Sequence, residues 1–172
     1  MIKNGKGGSK TKTGLLFEER TNLKKAFSKL KNYDIKKNEI LKNKKTIGKL
    51  LGKHKLYSEL LTLNGVNFEK YISKKLLPDE AILIYKTNTL FIIEMKFQEV
   101  AGSVDEKLQT CDFKRKQYIK LLKPLNIKVE YIYILNDWFK NKKYKDVLKY
   151  IRDNNCHYFF EELPLKFLSI ED

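Results

Sequence analysis

From Leu90 to Phe97 the chain reads LFIIEMKF, apolar at every position except Glu94 and Lys96. Entered from a polar turn at Lys86-Thr87-Asn88-Thr89, with Ala81–Tyr85 before it, this run predicts the return strand of a hairpin. Side chains alternate along a strand, so Ile92, Glu94 and Lys96 share one face and Phe91, Ile93, Met95 and Phe97 the other. The second face is wholly apolar and belongs in a core. The first carries an acid and a base one pleat apart. The hairpin opens at Pro78-Asp79, where the fixed φ of proline stiffens the approach and sets where the aspartate sits. Two carboxylates can hold a divalent cation, and a nearby ammonium can orient a water or help to deprotonate it. An isolated E-x-K pair has a plainer reading, a cross-strand ion pair on a half-solvated face.

The 172 residues suit one domain with a full-sized core. Residues 1–13 (MIKNGKGGSKTKT) read as a flexible basic arm, and 14–172 as a single domain, mainly helical and basic over 14–76 and sheet-containing over 77–172. A helical pattern from Gly14 puts Leu16, Leu23, Phe27 and Leu30 on one face. The lysine-dense stretch 34–55 predicts short helices or a basic loop, with further short helices over 56–63 and 67–75. After the hairpin, Ser103 is a good N-cap with Glu106 three residues on, for a helix running to about Leu122 that Pro124 ends. Ile127–Leu135 (IKVEYIYIL) is a strand apolar enough to be central. A helix over Tyr144–Asp153 and a strand over His157–Phe160 follow. From Asp79 the expected order is strand, strand, helix, strand, helix, strand, an α/β fold with a mixed sheet.

Charge points to a polyanion. Residues 1–55 carry 17 Lys/Arg against 4 Asp/Glu, whereas the other 117 carry 19 against 17. A surplus confined to one third is the electrostatic footprint of a nucleic-acid partner. Cys111 and Cys156 are too few for a disulfide framework or a zinc site, and two reduced thiols are expected. No apolar run reaches membrane-spanning length and the N-terminus lacks a signal-peptide apolar core, so a cytoplasmic protein without a membrane partner is expected.

Taken together, these pieces resemble the PD-(D/E)xK nuclease superfamily, and within it a small type II restriction endonuclease. Pro78-Asp79 matches the PD element, Glu94-x-Lys96 the (D/E)xK element, and Gln98 continues it as ExKxQ. Gly102-Ser103-Val104-Asp105-Glu106-Lys107-Leu108 is similar to the start of the helix that follows the catalytic strand. Lys12-Thr13-Gly14-Leu15-Leu16-Phe17-Glu18 resembles the first-helix motif. The match covers about residues 9 to 140.

The resemblance implies a restriction-endonuclease-like core with a mixed sheet flanked by helices. Asp79 and Glu94 would ligate one or two Mg²⁺, with Mn²⁺ as a substitute. Lys96 would position the attacking water and stabilise charge at the scissile phosphate. Gln98 would touch the phosphate or orient Lys96. Glu18 would support the metal site from the first helix, with Glu19 as its rival, since the helical phase favours Glu19 and the motif favours Glu18. Glu80 is a further acid beside Asp79 but should point to the other face.

The implied reaction is Mg²⁺-dependent hydrolysis of double-stranded DNA at a specific site, by in-line attack of an activated water, leaving 5′-phosphates. A homodimer would match a palindromic site, and a cognate DNA methyltransferase is the expected genetic partner. Lys53, Lys55 and Tyr57 are candidates for a DNA groove, His54 for a phosphate contact or a solvated surface position, and Lys114, Arg115, Lys116, Gln117 and Lys120 for tracking phosphates, although such runs are also ordinary solvated faces. His157 reads as structural, and Trp138-Phe139 as a core or dimer contact. The alternatives are another nuclease of this superfamily (a homing endonuclease, a Holliday-junction resolvase or a repair nuclease) and a basic binding protein in which Glu94 and Lys96 are only an ion pair.

Overall fold

The computed structural model describes residues 14–17, 22–99 and 104–171. The arm over 1–13, the acids Glu18 and Glu19, and the predicted N-cap Ser103 lie outside these residues. The chain forms an α/β fold around a seven-stranded mixed sheet. In chain order the elements are β1 (Gly14–Leu16), α1 (Leu23–Ser28), β2 (Tyr33–Lys36), β3 (Glu39–Lys42), β4 (Lys45–Leu50), β5 (Glu80–Ile84) and β6 (Thr89–Lys96). They continue with α2 (Val104–Leu108), α3 (Cys111–Leu122), β7 (Lys128–Leu135), α4 (Lys145–Asp153), β8 (His157–Phe160) and β9 (Glu162–Pro164). The large sheet runs β2-β3-β4-β5-β6-β7-β8, antiparallel as far as β6 and parallel from β6 to β8. A small antiparallel ribbon pairs β1 with β9. No helix among the described residues is long and apolar enough to cross a membrane.

Parallel pairing of β6 with β7 needs a crossover, and α2 and α3 supply it. The crossover covers the sheet face that carries Leu90, Ile92 and, from β7, Tyr131, Tyr133 and Leu135. Helix α4 and the turns over 57–72 complete that layer through Leu60, Ile72 and Ile151. The opposite face, with Phe91, Ile93, Ile132 and Ile134, packs against α1 and the β1/β9 ribbon through Leu23, Phe27, Leu15 and Leu163. Both faces of β6 are therefore buried, and the E-x-K face is not the half-solvated surface that an antiparallel hairpin alone would leave.

The region from Asp79 onward follows the predicted order, with the long helix broken at Gln109-Thr110 into α2 and α3. The region before it does not. Residues 33–50 form the three-stranded meander β2-β3-β4 instead of helices, which corrects the expectation of a mainly helical 14–76. The cause is turn chemistry. Asn43 and Lys44 both take positive φ (49° and 66°) and link the paired Lys42 and Lys45 as a two-residue hairpin turn. Ile40 and Leu50 are buried, while the flanking lysines Lys42, Lys45 and Lys49 stay partly or fully exposed.

Gly14–Leu16 is likewise a strand, so the first helix is only the six residues of α1, with Leu23 and Phe27 buried and Leu16 exposed. A short helical turn does end at Gly65, where φ is +71°, but 67–75 keeps only a turn at Phe68–Lys70. Glu80 faces away from the E-x-K side, accepting the Leu23 N–H at 3.3 Å and so tying the start of α1 to β5.

Candidate active site

Asp79 stands one residue before the first β5–β6 pair, Glu80 opposite Ile93. The buried Pro78 is held from the other side, its carbonyl accepting the Lys53 N–H at 2.9 Å. This fixes Asp79 against β6. Its Oδ2 accepts the Met95 N–H at 3.1 Å and lies 3.3 Å from the Lys96 ammonium. Lys96 in turn lies 3.0 Å from Glu94 Oε2. The sequence-predicted Asp79, Glu94 and Lys96 thus converge, from the entrance of one strand and the end of the next.

Glu94 is only 5% exposed, and a charge at that depth needs partners. A second cation supplies one of them: Lys114 Nζ reaches the same Oε2 from α3 at 3.4 Å. From its helix-surface spacing Lys114 is expected among phosphate contacts, and the structure instead brings it beside Glu94. Its partnership depends on α3 lying across β6, which residue spacing does not reveal. Beneath the pair lie the buried phenols of Tyr118 and Tyr131. Burial raises their pKa values first and the Glu94 charge raises them further, so both phenols stay neutral. Burial alone would lower the pKa of Lys96, but Glu94 and Asp79 outweigh it and the net shift is upward. Lys96 therefore remains an ammonium at neutral pH and acts as a positive charge and hydrogen-bond donor.

Gln98 lies just past the end of β6 with its backbone clamped by Asn136, the residue after β7. Asn136 Oδ1 accepts the Gln98 N–H at 3.2 Å, and Asn136 Nδ2 donates to the Gln98 carbonyl at 2.8 Å. Both of these bonds are made by the Gln98 backbone. Asn136 thereby fixes the loop that leaves the site, a role that no motif in the sequence announces.

A cleft of about 450 Å³ opens beside Asp79, lined by Lys24, Lys53, His54, Lys55 and Glu80, with Asn22, Leu50 and Gly52. It brings the three basic candidates at 53–55 to the edge of the acid cluster. Gly52 lets this turn approach β5, since a Cβ there would come within 2.8 Å of Glu80 Oε2. Burial pushes the Glu80 carboxyl pKa up despite the Leu23 N–H and the charges of Lys53 and Lys55. Arg115 is not brought to the cluster in the same way. Its Nε is buried without a hydrogen-bond partner among the described residues, and its charge bears on the Cys156 thiol. Cys111 and Cys156 are free and buried, and His157 pairs with Glu130 at 2.8 Å. Trp138 donates to Tyr144 at 2.6 Å within the core layer.

Among the described residues no group of three or more His, Cys, Asp or Glu side chains is arranged to hold a metal ion. Two carboxylates nevertheless suit Mg²⁺, a hard cation that favours oxygen donors and commonly keeps several waters beside one or two carboxylates. Comparison with protein-family models, curated proteins and solved structures returned no match to this chain.

Proposed function

We propose that this chain is a type II restriction endonuclease with a restriction-endonuclease-like core, hydrolysing double-stranded DNA at a specific site with Mg²⁺. The observation that carries the reading is the convergence of Asp79 and the nearly buried Glu94 on the Lys96 ammonium. An ion pair on a solvated strand face costs little and needs no third group. Glu94 is 5% exposed and is met by two ammonium groups, which counts against the plain ion-pair reading.

In this proposal Asp79 and Glu94 hold the divalent cation. When bound, it supplies Lewis-acid stabilisation at the phosphate and lowers the pKa of a water. Lys96, kept charged by its two acids, orients that water and faces the negative charge that grows on the phosphoryl oxygens. The Asp79–Met95 bond keeps the two carboxylates in register before any ligand arrives. The basic cleft at Lys53, His54 and Lys55 offers the DNA backbone a path to Asp79.

The test is incubation of the purified protein with plasmid and phage DNA in Mg²⁺ or in EDTA. Discrete fragments with 5′-phosphates, formed only with Mg²⁺, are expected. Cleavage of four-way junctions in preference to linear duplex would favour a resolvase. DNA binding indifferent to Mg²⁺ with no cleavage would overturn the enzymatic reading. A palindromic site further predicts a dimer, seen by light scattering on a duplex as twice the 20.4 kDa chain mass added to the mass of the DNA.

A further inference from the structure

Two ammonium groups share one oxygen of a nearly buried carboxylate, and they are not equivalent. Lys96 contacts Glu94 Oε2 at 3.0 Å and Asp79 Oδ2 at 3.3 Å, and its side chain is 16% exposed. Lys114 contacts Glu94 Oε2 alone among the described residues, at 3.4 Å, and is 28% exposed. Asp79, Glu94, Lys96 and Lys114 carry formal charges that cancel. A divalent cation arriving at Glu94 meets both ammonium groups around the oxygen it needs, and like charges at that range repel. One of them has to withdraw. Lys96 has a second carboxylate to hold it and is the more buried, whereas Lys114 has one ion-pair partner among the described residues and a more exposed side chain.

Resting on the nuclease reading, we propose that Lys114 is a phosphate-binding residue held in reserve on Glu94. It balances the buried acid in the resting protein, gives way to the divalent cation, and then binds a non-bridging oxygen of the DNA phosphate. With the cation in place the same four side chains carry a surplus of positive charge, which suits an anionic ligand and not a neutral one. The role belongs to Lys114 and not to its neighbour Lys116, which is paired with Asp112 one helical turn away at 2.7 Å.

The test compares wild type, Lys114→Met and Lys114→Arg as full chains, with circular dichroism as the folding control. Mn²⁺ binding is read by calorimetry, and affinity for a DNA duplex is read in Ca²⁺ over a range of salt. Lys114→Met should bind Mn²⁺ several-fold more tightly, because a competing cation is gone. It should also bind DNA more weakly, with the slope of log K against log salt smaller by about 0.9, the loss of one phosphate contact. Lys114→Arg should keep the DNA affinity. Unchanged Mn²⁺ affinity in Lys114→Met, or unchanged DNA affinity and slope, overturns the proposal while leaving the nuclease reading intact if wild type still binds Mn²⁺ and cuts DNA. A wild-type protein that neither binds Mn²⁺ nor cuts DNA overturns both.

Discussion

The Asp79 carboxylate accepts the backbone N–H of Met95 at 3.1 Å, so the acid that precedes β5 is bonded to the strand segment lying between Glu94 and Lys96. This one bond separates the structural from the chemical role of Asp79. Asp79→Asn keeps an acceptor oxygen for Met95 but loses the charge. Its melting temperature should stay close to wild type while cleavage falls by roughly two orders of magnitude or more. Asp79→Ala loses both, and should be less stable by about 0.5–1.5 kcal/mol, the net worth of a typical hydrogen bond. Melting curves and cleavage rates of the two variants check this, and an Asp79→Asn protein with undiminished cleavage would remove Asp79 from the site.

The cleft beside Asp79 makes a salt-dependence prediction. If Lys53 and Lys55 each meet a phosphate, replacing both by alanine should lower the slope of log K against log salt by roughly 1.8. Titrations in Ca²⁺ measure this without turnover. A slope equal to that of wild type would mean that the DNA backbone runs elsewhere.

Glu80 carries a pH signature. Burial raises its folded-state pKa above the unfolded value, so the folded state favours the protonated acid. Stability from this group is fully present below the unfolded pKa, near 4.5, and is lost as pH rises through the folded pKa. Glu80→Gln stays neutral and can still accept the Leu23 N–H. It should melt at a higher temperature than wild type at pH 7, with the gap closing as pH falls toward 4. A gap that does not change with pH would assign the effect to packing instead.

Gly48 on β4 pairs with Ile84 and lies so close to the Leu83 carbonyl oxygen that an added Cβ would overlap it. Gly48→Ala should therefore force β4 and β5 apart and cost about 1–3 kcal/mol. For a chain of this length that is a drop of several degrees in melting temperature, at about 2–4 °C per kcal/mol. Thermal unfolding followed by circular dichroism provides the check, and a wild-type midpoint would mean that the meander shifts without strain.

What could be read from the residues depended on how burial marks them. Strands β6 and β7 were legible because both of their faces are buried, leaving nearly unbroken apolar runs. The meander β2-β3-β4 was not, because it is half-exposed, its apolar anchors are sparse and its lysines resemble those of a solvated helix. The Asn43-Lys44 turn also lacks the glycine that usually announces such a hairpin. The β1–β9 ribbon joins the two ends of the described chain, a pairing that no local pattern encodes. In the site, Asp79, Glu94 and Lys96 were legible because alternation within one hairpin brings them together. Lys114 and Asn136 were not placed, because Lys114 meets Glu94 only where the crossover helix α3 lies over β6 and Asn136 meets Gln98 only where β6 and β7 end side by side.

Whether Asp79, Glu94 and Lys96 form a cation-dependent nuclease site is decided by the Mg²⁺-dependent rate of plasmid cleavage by Glu94→Gln and Lys96→Met. Both changes roughly keep side-chain size, and circular dichroism confirms folding. Each folded variant should lose roughly two to four orders of magnitude in rate, about what removing one group at a reacting centre costs. Folded variants that cut DNA at the wild-type rate would contradict the nuclease site.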